Sequence, residues 1–272
     1  MRPILRYFGG KSLLAGRLTA LFPNHKTFVE THAGSASVLL GKDRSHVEIL
    51  NDKDDLIVNV LRCVRDDEGR LFESLRNTPY ARREYVDAAE RTEDPWEQAR
   101  RTIVRSFMGI GADAIHRETG FRGYPHNRKR EKDSTCAHEW ATYLDSFPAF
   151  RERLRGVMIE NIDALEIIDR FDEYDTLFYV DPPYVMSTRV DGRNRYGHEM
   201  TDDDHRALLR DLWEVQGMVV LSGYQSELYN AILHEWTRID IDFRGKVESV
   251  WLNGAAEEAS RKPSLFDLAG NE

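Results

Sequence analysis

A short apolar run cut off by two prolines constrains this chain more than any other stretch. Residues 177–180, Leu-Phe-Tyr-Val, are rich in β-branched and aromatic side chains, the pattern of a buried strand. The run stops at Asp181-Pro182-Pro183-Tyr184, because two prolines cannot donate to a sheet ladder. Asp181 and Tyr184 are thereby expected at the carboxyl edge of a sheet, where open α/β folds bind ligands. Asp-Pro and Pro-Pro are also ordinary turn punctuation, so the tetrad alone fits either a strand-ending turn or a site.

As a site, the tetrad has a chemical logic for the exocyclic amine of a nucleobase. That nitrogen is a poor nucleophile because its lone pair is delocalised into the ring. The Asp181 carboxylate and the Pro182 carbonyl could both accept its hydrogens, favouring a more tetrahedral nitrogen as positive charge develops. Tyr184 offers a flat face on which an extruded base could stack.

A chain of 272 residues allows one large α/β domain with an inserted subdomain. No apolar run approaches the roughly 20 residues of a membrane span, and the apolar core after Met1 is too short for a signal peptide. Cys63 and Cys136 have no metal-ligand spacing and suggest no disulfide scaffold, so a reducing cytoplasm is expected. Cys136 and His138 are read as surface residues, with no metal site.

Arg6-Tyr-Phe-Gly-Gly-Lys-Ser12 leads into a helical pattern over 13–21. A phosphate-loop reading of Gly-Lys-Ser fails, because position 5 is Leu and no strand precedes it. The glycines instead allow a tight backbone with Tyr7 and Lys11 projecting toward a common site. Residues 27–30 read as a first strand ending at Glu30, followed by small residues around Gly34 and a short helix through 40. Strand, small-residue turn and helix form the first half of a nucleoside-binding unit, although the full glycine fingerprint is absent. Glu30 could pair with an ammonium group, and His32 is most simply a loop residue. A second strand over 46–50 ends at Asn51-Asp52, and Asp52 follows Gly34 by 18 residues, near the spacing of a ribose-binding acid. Either residue could equally cap the helix that follows.

Residues 54–94 read as helical with turns near Gly69 and Pro79, and 95–108 as another helix capped by Asp94. Strands are expected over 157–160, 217–222, 237–241 and 249–252. Helices are expected over 137–155, from a Thr201 cap to 213, and over 226–233. The loop 185–199 is expected to be mobile, and the tail after Asn253 to be flexible.

The formal net charge of −9 argues weakly against nucleic acid, but distribution matters more than the sum. Between Arg100 and Lys132 nine Lys/Arg face only Asp113, Glu118 and Glu131. Aromatics punctuate the irregular part of this segment, as in a loop that contacts nucleic acid. A solvated charged loop is the plain alternative.

Six pieces now form an ordered set: Tyr7-Phe-Gly-Gly-Lys11, Phe28-Val-Glu-Thr-His-Ala-Gly-Ser-Ala36, Leu50-Asn-Asp52, Asp181-Pro-Pro-Tyr184, Leu221-Ser-Gly-Tyr224 and Glu248-Ser-Val-Trp-Leu-Asn253. In this the chain resembles the Dam-like family of DNA adenine-N6 methyltransferases, those with cofactor motifs before the target-recognition segment. The pieces are individually weak and specific as a series, and they leave only about 66–155 unanchored.

The resemblance implies an α/β fold with a Rossmann-like class I methyltransferase sheet, mostly parallel with an antiparallel closing strand. It implies a catalytic domain from 1–65 and 156–255, a helical target-recognition insertion at 66–155 and a flexible tail at 256–272. It further implies S-adenosylmethionine as cofactor, S-adenosylhomocysteine as product, and no metal. Tyr7, Lys11, Glu30, Gly34, Asp52, Asp163 and Asp181 would bind the cofactor, Asp163 reading its adenine. Asp181, Pro182 and Tyr184 would be catalytic on a flipped adenine. Arg105, Arg117, Arg122, Arg128, Lys129 and Arg130 would contact double-stranded DNA. The family more often has Pro-Phe where this chain has Thr31-His32, and glycine where it has Ala36.

Cytosine-N4 methylation is the nearest rival, although that group more often has Ser or Thr at the position of Asp181. A degenerate fold that only binds DNA is another, and the chemistry alone also admits RNA or protein methylation. Lys262-Pro-Ser-Leu-Phe266 resembles the peptide that docks on bacterial sliding clamps, with Leu265 and Phe266 as apolar anchors; a frayed terminus is the alternative. The expected setting is bacterial cytoplasm, the gene being bacterial or phage-borne.

Overall fold

Five parallel strands make the centre of the sheet: β1 (Thr27–Glu30), β2 (Val47–Asn51), β3 (Met158–Glu160), β4 (Thr176–Val180) and β5 (Met218–Gly223). Two antiparallel strands, β6 (Thr237–Phe243) and β7 (Lys246–Leu252), close it in the spatial order β3-β2-β1-β4-β5-β7-β6. This is a computed structural model, and it describes residues 1–123, 135–189, 195–243 and 245–261. The chain runs outward from β1 to β2 and β3, then returns to the other side of β1 with β4. The order therefore reverses between β1 and β4, the crevice where open α/β sheets bind ligands.

Side chains on a strand alternate between its two faces, and the core divides accordingly. Phe28, Leu50, Leu177, Tyr179, Val220 and Val250 join one buried cluster, while Val29, Ile49, Phe178, Val180, Val219 and Trp251 join the other. Burial on both faces explains why residues 177–180 are apolar without interruption.

The helices are α1 (Ala15–Thr19), α2 (Ser37–Gly41), α3 (Asp55–Asp66), α4 (Arg70–Arg76), α5 (Arg82–Asp87) and α6 (Pro95–Met108). They continue as α7 (Cys136–Tyr143), α8 (Phe147–Leu154), α9 (Ala164–Phe171), α10 (Asp202–Glu214), α11 (Glu227–Ile232) and α12 (Gly254–Arg261). α1 to α8 supply the first cluster and α9 to α11 the second. Ile103, Val104 and Phe107 of α6 share a core with Ile57, Val60 and Leu61 of α3, so the inserted helices pack onto the sheet layer.

Several sequence expectations need correction. The helix expected over 137–155 is two helices joined by a 3₁₀ turn at Leu144–Ser146, with Pro148 in the first turn of α8. Proline lacks the N–H that an unbroken helix would require there. The tail expected to be flexible from 256 begins as α12, with Ala256 buried. Asn253 secures its start: its Oδ1 accepts from Ala256 N and Val219 N, and its Nδ2 donates to the Gly217 carbonyl. Cys136 is buried, its Sγ 3.5 Å from the Gly123 carbonyl oxygen, while its neighbour His138 is exposed. No helix among the described residues is long and apolar enough to cross a membrane.

Candidate active site

β4 delivers Asp181 to the carboxyl edge, where the two prolines end the ladder. Its carboxylate meets Lys11, which arrives from the glycine-containing N-terminal loop. Lys11 Nζ lies 2.6 Å from Asp181 Oδ1 and 2.7 Å from Oδ2. The same nitrogen is 2.7 Å from the Tyr184 hydroxyl and 3.4 Å from Glu248 Oε1. Ser222, near the end of β5, donates to Asp181 at 3.1 Å and lies 2.9 Å from the Tyr179 hydroxyl. Burial works against the Lys11 ammonium, yet Asp181, Tyr184 and Glu248 hold it charged well above the ordinary lysine range. Burial lifts the Glu248 carboxyl; Lys11 opposes that lift and the Asp181 charge adds to it.

Tyr184 differs from the open platform expected of it. It is buried, and its hydroxyl donates to Glu248 at 3.2 and 3.3 Å. Its ring packs on Tyr224 at 4.4 Å between centroids, with Lys11 Nζ 4.9 Å from the ring centre. A phenol at a strand end supplies a polar handle as well as a face, and in this arrangement the handle is used. Pro182 is buried beside it, while Pro183 reaches the neighbouring cavity.

A cavity of about 260 Å³ adjoins Asp181 at the β1–β4 crevice. Its walls include Tyr7, Lys11, Glu30, His32, Gly34, Asp52, Asp163 and Asp181, so every expected cofactor residue reaches it. Glu30 ends β1 and accepts from Leu39 N at 3.0 Å. Burial nevertheless pushes its carboxyl up to about 8, against that N–H. Asp52 accepts from Gly34 N at 2.8 Å and Asp54 N at 2.9 Å, and burial raises it to about 6. Gly34 sits at φ 48°, where a Cβ would come 3.0 Å from the Tyr7 ring. Ala36 also takes a left-handed φ of 52°, a cost of about 1 kcal/mol that glycine would avoid. His32 lines the cavity, with burial lowering its pKa to about 4. Asp163 is half exposed, caps α9 through Leu165 N and pairs with Lys53 at 2.8 Å.

These walls suit a cationic nucleoside. Glu30, Asp52, Asp54, Asp163, Asp181, Glu199 and Asp204 face the cavity against Lys11 and Lys53. That excess of carboxylates fits a ligand carrying an ammonium and a sulfonium, and the glycine-lined approach at Gly34 admits close backbone contact. Among the described residues no group of His, Cys, Asp and Glu is arranged to hold a metal ion.

The described ends of the loop over 185–199 are tied down. Arg189 donates to the Tyr184 carbonyl at 2.7 and 3.0 Å and pairs with both Glu199 oxygens at 2.6 and 2.9 Å. Tyr196 packs edge-on against Phe8 and Tyr7 at 5.4 and 6.1 Å, closing one side of the cavity. His116 reaches in from the basic segment to Asp54 at 2.6 Å, and a Cβ on Gly197 would strike both.

The expected DNA contacts divide. Arg105 is buried and serves the loop: it donates to the carbonyls of Ala114 and Arg117 at 3.1 and 2.6 Å, over the Tyr85 ring. Its assignment to phosphate is corrected, because a guanidinium closed over by its own loop cannot reach a duplex. Arg117 pairs with Asp113 and Arg122 with Glu139, each still partly exposed. Arg128, Lys129 and Arg130 lie outside the described residues, as do Leu265 and Phe266.

Glu248, Ser222, Arg189, Tyr196 and His116 were not assigned roles from sequence. Glu248 stood in a quoted motif, but only the β5–β7 pairing brings its strand beside the tetrad. Residues 7–244 match the family described as D12 class N6 adenine-specific DNA methyltransferase. The chain is also similar to a DNA adenine methylase of Haemophilus influenzae, 25% identical over 222 residues that span 76% of this chain and 72% of that protein. With its ligand crevice at the β1–β4 reversal and Asp181-Pro-Pro-Tyr184 at the carboxyl edge of β4, the chain belongs to the D12 class of N6 adenine-specific DNA methyltransferases.

Proposed function

We propose that the chain methylates the N6 amine of an adenine turned out of double-stranded DNA, at a specific sequence, with S-adenosylmethionine as donor. The observation that carries this reading is the Asp181 carboxylate beside an acid-rich cavity, already chelating an N–H cation with both oxygens. A group that holds an ammonium this way can hold an amine on which positive charge is building. Bound S-adenosylmethionine would supply an electrophilic methyl group on a sulfonium centre.

The protein's own contribution is placement. Asp181 accepts one amine hydrogen and the Pro182 carbonyl the other, while Ser222 fixes the carboxylate from behind. Tyr224, partly exposed and backed by the buried Tyr184 ring, offers the aromatic face against which an extruded base would lie. Extrusion costs a few kcal/mol, of which stacking on an aromatic ring returns about 1–3 kcal/mol. Glu30 receives the cofactor's amino-acid end, and Asp52 its ribose. Arg117 and Arg122 guide the duplex.

The test is nucleoside mass spectrometry on unmodified duplex DNA incubated with the protein and S-adenosylmethionine. N6-methyladenine is expected, and Asp181→Ala should lower its formation at least about 10²–10³-fold. Methylcytosine in its place, or full activity of Asp181→Ala, would overturn the reading.

A further inference from the structure

The Lys11 ammonium has more acceptors than hydrogens. Its three N–H groups face both Asp181 oxygens, the Tyr184 hydroxyl at 2.7 Å, the Gly9 carbonyl at 3.2 Å and Glu248 at 3.4 Å. Two carboxylates from different strands therefore share one buried cation, with Tyr184 hydrogen-bonded to Lys11 and to Glu248. We propose that Glu248 is a positioning residue: it is the second seat to which the Lys11 ammonium moves when the target amine takes up Asp181.

This inference rests on the reading of Asp181 as the amine's acceptor and follows from what an incoming amine requires. An ammonium left on Asp181 would occupy both carboxylate oxygens and neutralise their charge. It would also repel the positive charge developing on the methylated nitrogen. Lys11 cannot retreat to water, because its side chain is only 4% exposed. Glu248 is similarly enclosed at 6%, and among the described residues its other side-chain hydrogen-bond partner is the Tyr184 hydroxyl at 3.2 and 3.3 Å. A shift of about 0.6 Å closes the 3.4 Å separation to a normal charge-assisted bond, and one of about 1 Å takes the ammonium beyond hydrogen-bond distance of Asp181. No proton changes hands and no bond breaks; the ammonium exchanges one carboxylate for the other and the cluster keeps its charge.

The test is single-turnover methylation of duplex DNA at saturating cofactor, read in two backgrounds. Glu248→Gln should slow transfer about 10- to 100-fold, and Glu248→Asp, which keeps the carboxylate, should recover most of that loss. Binding of S-adenosylhomocysteine should be unchanged in both, since Glu248 does not line the cavity. Lys11→Met combined with Glu248→Gln should be no slower than Lys11→Met alone, because a seat without an occupant has nothing to do. Equal slowing by Glu248→Gln in both backgrounds, no slowing in the native one, or loss of S-adenosylhomocysteine binding would each overturn the proposal. An active native protein with additive variants refutes only the Lys11 seat. A native protein that makes no N6-methyladenine refutes the underlying role of Asp181 as well.

Discussion

At the residue scale, Glu30 shows how a ligand site can be held at the expense of stability. An ordinary glutamate in the unfolded chain loses its proton near 4.5, whereas in the native crevice burial holds it to about 8. Between those values the native state binds more protons than the unfolded one, so this group makes stability fall as pH rises. Glu30→Gln removes the titration. The melting temperature of Glu30→Gln minus that of the native protein should therefore grow between pH 5 and 8, in the variant's favour. Thermal melts of both proteins without cofactor across that range check the sign; a constant difference would mean that Glu30 is ionised throughout. A cofactor ammonium placed beside Glu30 would reverse the balance, since it rewards the charged form.

At the scale of elements, the site depends on how each strand or helix is ended. β4 ends because Pro182 and Pro183 cannot pair, and that leaves Asp181 at the edge. α10 begins with a capping box in which Thr201 Oγ1 accepts from Asp204 N, and Asp204 Oδ2 accepts from Thr201 N. The cap fixes the helix that brings Asp204, Ala207 and Leu208 to the cavity and buries Leu209 and Leu212. Thr201→Ala should cost about 1 kcal/mol, seen as a fall of roughly 2–4 °C in melting temperature. The cofactor's affinity should weaken with it if the cap also orders the cavity wall, and calorimetry with S-adenosylhomocysteine would register that. This start was legible because a Thr ahead of a helical pattern is a local N-cap signal; the reciprocal bond from Asp204 came from the structure. α9 is absent from the sequence expectations although Asp163 caps it, because the resemblance gives that residue a cofactor role instead.

At the scale of the molecule, an acidic protein must meet a polyanion. The net charge is −9 and the cavity adds its own carboxylates, so in the proposed function phosphate contact would fall to cations of the basic segment 100–132. Arg105 is not among them, because its guanidinium satisfies two loop carbonyls. Arg105→Ala should destabilise the protein by about 2 kcal/mol or more, from acceptors left without donors. Urea unfolding measures that loss. The slope of DNA affinity against salt should stay unchanged in a folded sample, whereas removal of a true phosphate contact lowers it by about one. The basic segment is also linked to the cavity wall, through His116 on Asp54 and Arg195 on Asp113 at 3.1 Å. The cavity wall and the basic segment are thus parts of one packed unit.

Whatever depends on neighbours in the chain was determined by the sequence alone. The seven strands follow from apolar runs and alternation, the end of β4 from its prolines, and the starts of α6 and α10 from their caps. Glu30, Asp52 and Asp181 line one cavity because the ends of parallel strands in an α/β fold converge on one edge. Tertiary structure decided what depends on distant groups. Tyr184 carries the ring expected of a DNA contact, yet Lys11 and Glu248, far along the chain, enclose it. Arg105 carries the charge, yet the loop that follows its own helix folds back over it. Glu248 gains its place only because β7 inserts antiparallel between β5 and β6, bringing its carboxylate within reach of Lys11 across 237 positions of sequence. Hydrophobic periodicity records which face of an element is covered. It does not record which side chain a buried charge will find there.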